Sequence, residues 1–105
     1  MLVFPVKDVE KAKAFFKRFL GVEPYVDGPY YVGFKADNME IGLDPNSDVG
    51  PIAYVDVIDI KASLEDLVKT GGNVMQDAMD VCGGMMIAKV KDDNGNVVGL
   101  RQLPK

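Results

Sequence analysis

The reading of this chain turns on VKDVEKAKAFFKRFLG, residues 6–21, because a second stretch repeats its grammar: VIDIKASLEDLVKTGG, residues 57–72. Asp8 and Asp59 are 51 positions apart (59 − 8), and Gly21 and Gly72 are separated by the same interval (72 − 21). Each copy reads as a strand end, an Asp cap, a helix and a glycine stop. An Asp at the cap accepts a hydrogen bond from the free amides of the first helical turn. A glycine supplies the left-handed residue that ends a helix. Val9, Ala12, Phe16, Phe19 and Leu20 form the apolar stripe of the first helix, and Ile60, Leu64, Leu67 and Val68 that of the second. A repeat of this length predicts two similar supersecondary units, neither of which buries its helix alone.

The flanking residues extend each copy into a module. Residues 2–6 read as a short first strand. Residues 23–27 are extended, and Asp27-Gly28-Pro29 is a turn signal. Residues 30–35 and 39–43 read as two further strands. DPNSDVG, residues 44–50, is turn-rich and aperiodic and forms the link. Residues 51–57 begin the second module, whose helix runs to Thr70. Residues 73–76 read as a short extended piece, 77–84 as irregular, and 85–90 as a strand. Asn94-Gly95 marks a tight hairpin, and residues 96–102 are the last strand. The expected class is α+β, two βαβββ modules in one domain over 1–105, with module one at 1–44, the linker at 45–50 and module two at 51–105.

Composition narrows the function. The chain has 105 residues, a net charge of −4, one cysteine and no histidine. An acidic balance argues against nucleic acid and against a polybasic membrane surface. Residues 1–6 are apolar but too few for a signal peptide or a membrane span. One cysteine excludes an internal disulfide and suits the cytoplasm. The absence of histidine removes the commonest general base near neutral pH and the commonest metal ligand.

Strand alternation divides each strand between two faces. Leu2, Phe4 and Val6, then Met39, Ile41 and Leu43, then Ala53, Val55 and Val57, then Val98 and Leu100 are assigned to the helix-packed face. The opposite sets are Glu40 and Gly42, then Ile52, Tyr54 and Asp56, then Val97, Gly99 and Arg101. That mixed face is the expected pocket wall, with Glu40, Tyr54, Asp56 and Arg101 as its binding residues. Arg101 has two readings: a grip on a carboxylate or phosphate, or an internal ion pair with Glu40 or Asp56. Tyr25, Tyr30, Tyr31 and Phe34 suit either stacking on a flat ligand or packing. Met75, Met79, Met85 and Met86 suit either an adaptable lining or core filling.

Two βαβββ modules, V-x-D before each helix and a final D-x-N-G-N-x-x-x-L hairpin resemble the vicinal oxygen chelate superfamily, the glyoxalase, bleomycin-resistance and extradiol-dioxygenase group. The resemblance covers nearly the whole chain. It implies sheets curled into a cup, often completed by a homodimer, and in the enzymes a divalent metal that chelates two neighbouring substrate oxygens. Residue by residue, the family's four ligand places fall on Met1, Gly42, Ile52 and Gly99. None is a ligand for a hard or borderline divalent ion. The expectation is therefore a metal-free, small-molecule-binding homodimer that sequesters or senses an organic ligand, with no cofactor. The alternative is a metal-dependent lyase, isomerase or dioxygenase that holds its metal with acidic ligands alone.

Overall fold

The computed structural model describes residues 1–104 and has the elements β1 (Leu2–Pro5), α1 (Val9–Leu20), β2 (Val26–Asp27), β3 (Val32–Ala36), β4 (Met39–Asp44), β5 (Ile52–Asp56), α2 (Ile60–Lys69), β6 (Asn73–Cys82), β7 (Met85–Lys91) and β8 (Val97–Gln102). The chain divides into two compact units, Met1–Ile52 and Ala53–Lys105. Each has the α+β composition and the βαβββ order expected from the repeat.

In the first unit the strand order is β2-β3-β4-β1, with β1 parallel to β4 and the other neighbours antiparallel. The second unit repeats the pattern as β5-β8-β7-β6, with β5 parallel to β8. A parallel first-to-last pairing requires a crossover, and the capped helix between the strands provides it.

The caps form as the sequence dictates. Asp8 accepts from the Lys11 amide at 3.1 Å and Asp59 from the Ala62 amide at 3.2 Å. The Gln102 side chain accepts from the Ile60 amide at 2.8 Å, tying α2 to the last strand. Gly21 ends α1 in the left-handed conformation at φ 72°, its amide bonded to the Lys17 carbonyl. The second stop differs from the expectation. Thr70 is the C-cap and Gly71 takes the positive φ of 107°, whereas Gly72 is needed for close packing. A Cβ on Gly72 would stand 2.8 Å from Val90 Cγ1 and 2.9 Å from the Leu67 carbonyl oxygen.

Each unit has its own core. Val32, Phe34, Ile41 and Leu43 are buried beneath Val9, Ala12, Phe16 and Leu20 of α1, and the rings of Phe4 and Phe16 lie 5.3 Å apart. Ile60, Leu64, Ala88, Val90 and Leu100 form the second core, with Val57 and Leu67 packed against it. Two members of the expected helix stripes fall outside. Phe19 is 69 % exposed and Val68 is 49 % exposed, because each sits at the margin of a stripe whose centre already covers the strands beneath.

Two further expectations are corrected. Residues 77–84 are not irregular: Asn73–Cys82 is one ten-residue strand whose pairing with β7 shifts register at several points. Bulges let a polar, turn-rich stretch stay in the ladder while escaping strict alternation. In β5 the helix-side residues Ala53 and Val55 are exposed and the opposite-side residues Ile52 and Tyr54 are buried. The register still places Val55 beside Leu100, while α2 lies across β6, β7 and β8. At the last hairpin only Gly95 has positive φ, and Asp92 closes the loop by accepting from the Asn94 and Asn96 amides at 2.9 and 2.7 Å. Those bonds, led by the Asn96 side chain, hold the Asp92 carboxyl below the usual carboxylate range.

Candidate functional site

In the first unit the face opposite α1 is built on a pair of glycines. Gly33 on β3 and Gly42 on β4 are register partners, so their missing side chains leave one bare spot on the sheet. Two tyrosines fill it. Tyr25 is held by its amide, which donates to the Gly33 carbonyl at 2.9 Å. Tyr31 is placed by the turn after β2, where the Gly28 amide donates to the Tyr31 carbonyl at 3.0 Å. A Cβ on Gly33 would lie 3.0 Å from the Tyr25 ring and 3.2 Å from that of Tyr31. One on Gly42 would lie 2.8 Å from Tyr31 Cζ and closer still to its hydroxyl oxygen. A side chain at Gly42 would force the Tyr31 ring to shift, and one at Gly33 would require the rings to give by a few tenths of an ångström.

Polar groups border the rings. Glu40 and Lys35 are cross-strand partners on this face. The Tyr25 hydroxyl donates a short hydrogen bond to the Glu40 carboxylate. The Lys35 ammonium stands 4.6 Å from the centroid of the Tyr25 ring, a cation–π contact. The Tyr31 hydroxyl reaches the Met1 sulfur at 3.6 Å. Glu40 also lines an open groove of about 450 Å³ with Met1, Leu2, Asp37 and Met39.

The second unit seats a ring in the same way. Tyr54 and Gly99 are register partners on β5 and β8, and so are Asp56 and Arg101. Tyr54 is 7 % exposed and covers Gly99. A Cβ there would stand 2.8 Å from Tyr54 Cγ and closer to two other ring carbons. Of the two readings of Arg101, its geometry takes the ion pair: Nε and Nη2 both donate to Asp56, the latter at 2.9 Å. The Arg101 hydrogen bond holds the Asp56 carboxyl below the usual carboxylate range. Tyr54, Asp56 and Arg101 are thus brought onto one face of the second unit, and Glu40 onto the corresponding face of the first.

The methionines do not line one surface. Met75 and Met79 are about half exposed on β6, while Met86 packs against the second core. A groove of about 480 Å³ between α2 and β6 is lined by Leu64, Val68, Val74 and charged neighbours, and it includes none of the expected site residues. Tyr25 and Tyr31 are the site residues that residue types alone did not single out above their neighbours. Their signal was indirect, a glycine in the interior of each of two paired strands.

The four places matched to metal ligands offer no coordination sphere. Met1 presents a thioether in contact with a phenol, and Ile52 is buried at 1 % exposure. Gly42 and Gly99 have no donor, and tyrosine rings occupy the space a donor side chain needs to leave the backbone. Among the described residues no three of His, Cys, Asp and Glu come together as a metal-binding group. The residues present do not fit a divalent ion.

A family model for the Glyoxalase/Bleomycin resistance protein/Dioxygenase superfamily matches residues 1–100, and the chain belongs to that superfamily. Solved structures show the same fold at low identity. A protein of Legionella pneumophila described as an NAD-dependent benzaldehyde dehydrogenase superposes with a TM-score of 0.78 at 17 % identity, over 97 % of this chain and 96 % of that one. A hypothetical protein of Bacillus halodurans gives 0.77 at 13 % identity, covering 99 % and 92 %. A glyoxalase/bleomycin resistance protein/dioxygenase superfamily member of Vibrio splendidus gives 0.73 at 16 % identity, covering 97 % and 95 %. No curated protein matches the sequence. Among the described residues no helix is long and apolar enough to cross a membrane.

Proposed function

We propose that this chain is a metal-free member of its superfamily that binds a small organic molecule on the tyrosine-bearing faces and works as a cytoplasmic homodimer, sequestering or sensing its ligand. The observation that carries this reading is the seating of Tyr31 on Gly42 and of Tyr54 on Gly99. The scaffold is kept, while the two strand positions that would present carboxylates are bare and roofed by phenol rings. Such a surface offers aromatic area and a few hydrogen-bonding anchors, which is binding chemistry rather than Lewis-acid chemistry. Glu40 borders the rings in the first unit, and Asp56 and Arg101 lie beside Tyr54 in the second. Homodimerisation is supported by the exposed apolar residues Phe15, Phe19, Val55 and Ile58.

The enzymatic alternative, a lyase, isomerase or dioxygenase with a metal on acidic ligands, lacks a donor set among the described residues. A thermal-shift screen of small organic compounds tests the proposal. A ligand at a hundred times its dissociation constant stabilises the native state by about 2.7 kcal/mol. In a domain of this size that raises the melting temperature by roughly 10–20 °C. The shift is expected to persist in excess chelator. Saturable turnover of a 1,2-dicarbonyl or a catechol, abolished by the chelator, would overturn the proposal.

A further inference from the structure

The sheet face of the second unit carries positive charge that its own acids do not neutralise. Ala88 and Val90 of β7 are buried in the core with α2. Alternation therefore puts Ile87, Lys89 and Lys91 on the opposite face. The register sets their neighbours. Lys89 lies between Gly99 of β8 and Gln76 of β6, and Ile87 lies beside Met79 of β6. Lys89 is half-buried, and among the described residues it makes no ion pair or hydrogen bond. The acids of the unit are placed elsewhere. Three belong to α2 and its cap, and two to the turn between β7 and β8. Asp77 lies in the groove between α2 and β6, and Asp80 accepts from the Gly84 amide at 3.3 Å. Asp56, on the same face as Lys89, accepts two bonds from Arg101. Withdrawing an ammonium from water costs free energy unless a counter-charge replaces the lost water. The strands around Lys89 supply no such charge, and an anionic ligand would. Beside the ammonium, half-buried Ile87 and half-exposed Met79 form an apolar shelf that can adapt to a ligand.

We infer that this face binds a small apolar carboxylic acid, with its carboxylate on the Lys89 ammonium and the Gln76 amide and its body on Ile87 and Met79. The assignment rests on the small-molecule-binding reading above and names its ligand class. An ammonium and a side-chain amide both donate hydrogen bonds, and a carboxylate only accepts them. One point charge beside an apolar shelf suits a monoanion with an apolar body. A phosphate carries more charge and more acceptor oxygens than these two donors serve.

Four probes test it: 2-naphthoate, 2-naphthamide, acetate and inorganic phosphate, titrated calorimetrically into the full chain at low ionic strength. 2-Naphthoate is expected to bind about tenfold or more tightly than 2-naphthamide, which keeps the rings and removes the charge. It should also bind more tightly than acetate or phosphate, which lack the apolar body. Added salt should weaken 2-naphthoate and leave 2-naphthamide unchanged. Lys89→Gln should bring 2-naphthoate down to the level of 2-naphthamide, while Lys89→Arg should retain the preference. Lys61→Gln, the same charge change on α2, should alter it less than about twofold. If Lys89→Gln does not fold, Lys89→Met takes its place and should show the same loss. Equal or tighter binding of 2-naphthamide, acetate or phosphate, indifference to the loss of the Lys89 charge in a folded variant, an equal loss in Lys61→Gln, or no binding of any probe overturns the ligand class. If the thermal-shift screen then yields neutral or cationic ligands, the broader binding reading stands; a screen with no ligand at all overturns that reading too.

Discussion

Gly99→Ala is expected to destabilise the protein by about 2–3 kcal/mol, a large effect for adding one methyl group. The added Cβ would stand 2.8 Å from Tyr54 Cγ, next to the backbone of β5, where the ring has little freedom to retreat. Overpacking of this kind forces the ring off its rotamer or the strands apart. In an ordinary strand the same change would help, since alanine loses less backbone entropy than glycine. The sign of the effect therefore tells a ring seat from an ordinary strand glycine. In a Tyr54→Ala background, Gly99→Ala should be neutral or stabilising, and the coupling read from urea unfolding of the four proteins should exceed about 1 kcal/mol. The same penalty in both backgrounds would mean that Gly99 is kept for some reason other than the ring.

Phe34→Ala is expected to cost about 3–5 kcal/mol, the range for removing a fully buried ring from a packed core. Phe34 is among the largest side chains with no exposed surface, at the centre of the cluster beneath α1. It also sits between Gly33 and Lys35, which point to the opposite face of β3. Loosening β3 should therefore disturb the seat of Tyr25 and Tyr31 as well as the core. Chemical unfolding followed by circular dichroism measures the loss, which corresponds to a fall in melting temperature of well over 10 °C in a domain of this size. A loss under about 1 kcal/mol would contradict a core centred on this ring.

The two helices, their Asp caps and the repeated order of strands were legible in the sequence, because each rests on local chemistry. Asp8, Asp59 and Gly21 do what isolated capping residues do. β6 was not legible, since Asp77, Gly83 and Gly84 read as a loop and only pairing with β7 keeps residues 73–82 extended. The exposure of Ala53 and Val55 was hidden as well: alternation assigns a face, but it does not say whether that face is covered. Alternation alone grouped Glu40 with Gly42, and Tyr54 with Asp56, on the mixed face. Its organising feature, rings laid over glycines, depends on Tyr25 and Tyr31 meeting Gly33 and Gly42 across strands, a placement that register alone creates. The choice between anion grip and ion pair for Arg101 was also one of register, decided by Asp56 lying directly opposite on β5.

Whether this superfamily scaffold works without a metal is tested most directly by elemental mass spectrometry of untagged protein, before and after soaking with nickel, zinc, manganese and iron(II) and removal of the excess. No metal is expected to be retained, since the four family ligand places hold Met1, Gly42, Ile52 and Gly99. Retention of close to one metal per chain or per dimer, abolished by Glu40→Gln or Asp56→Asn, would contradict metal-free function and establish an acid-ligated centre on these faces.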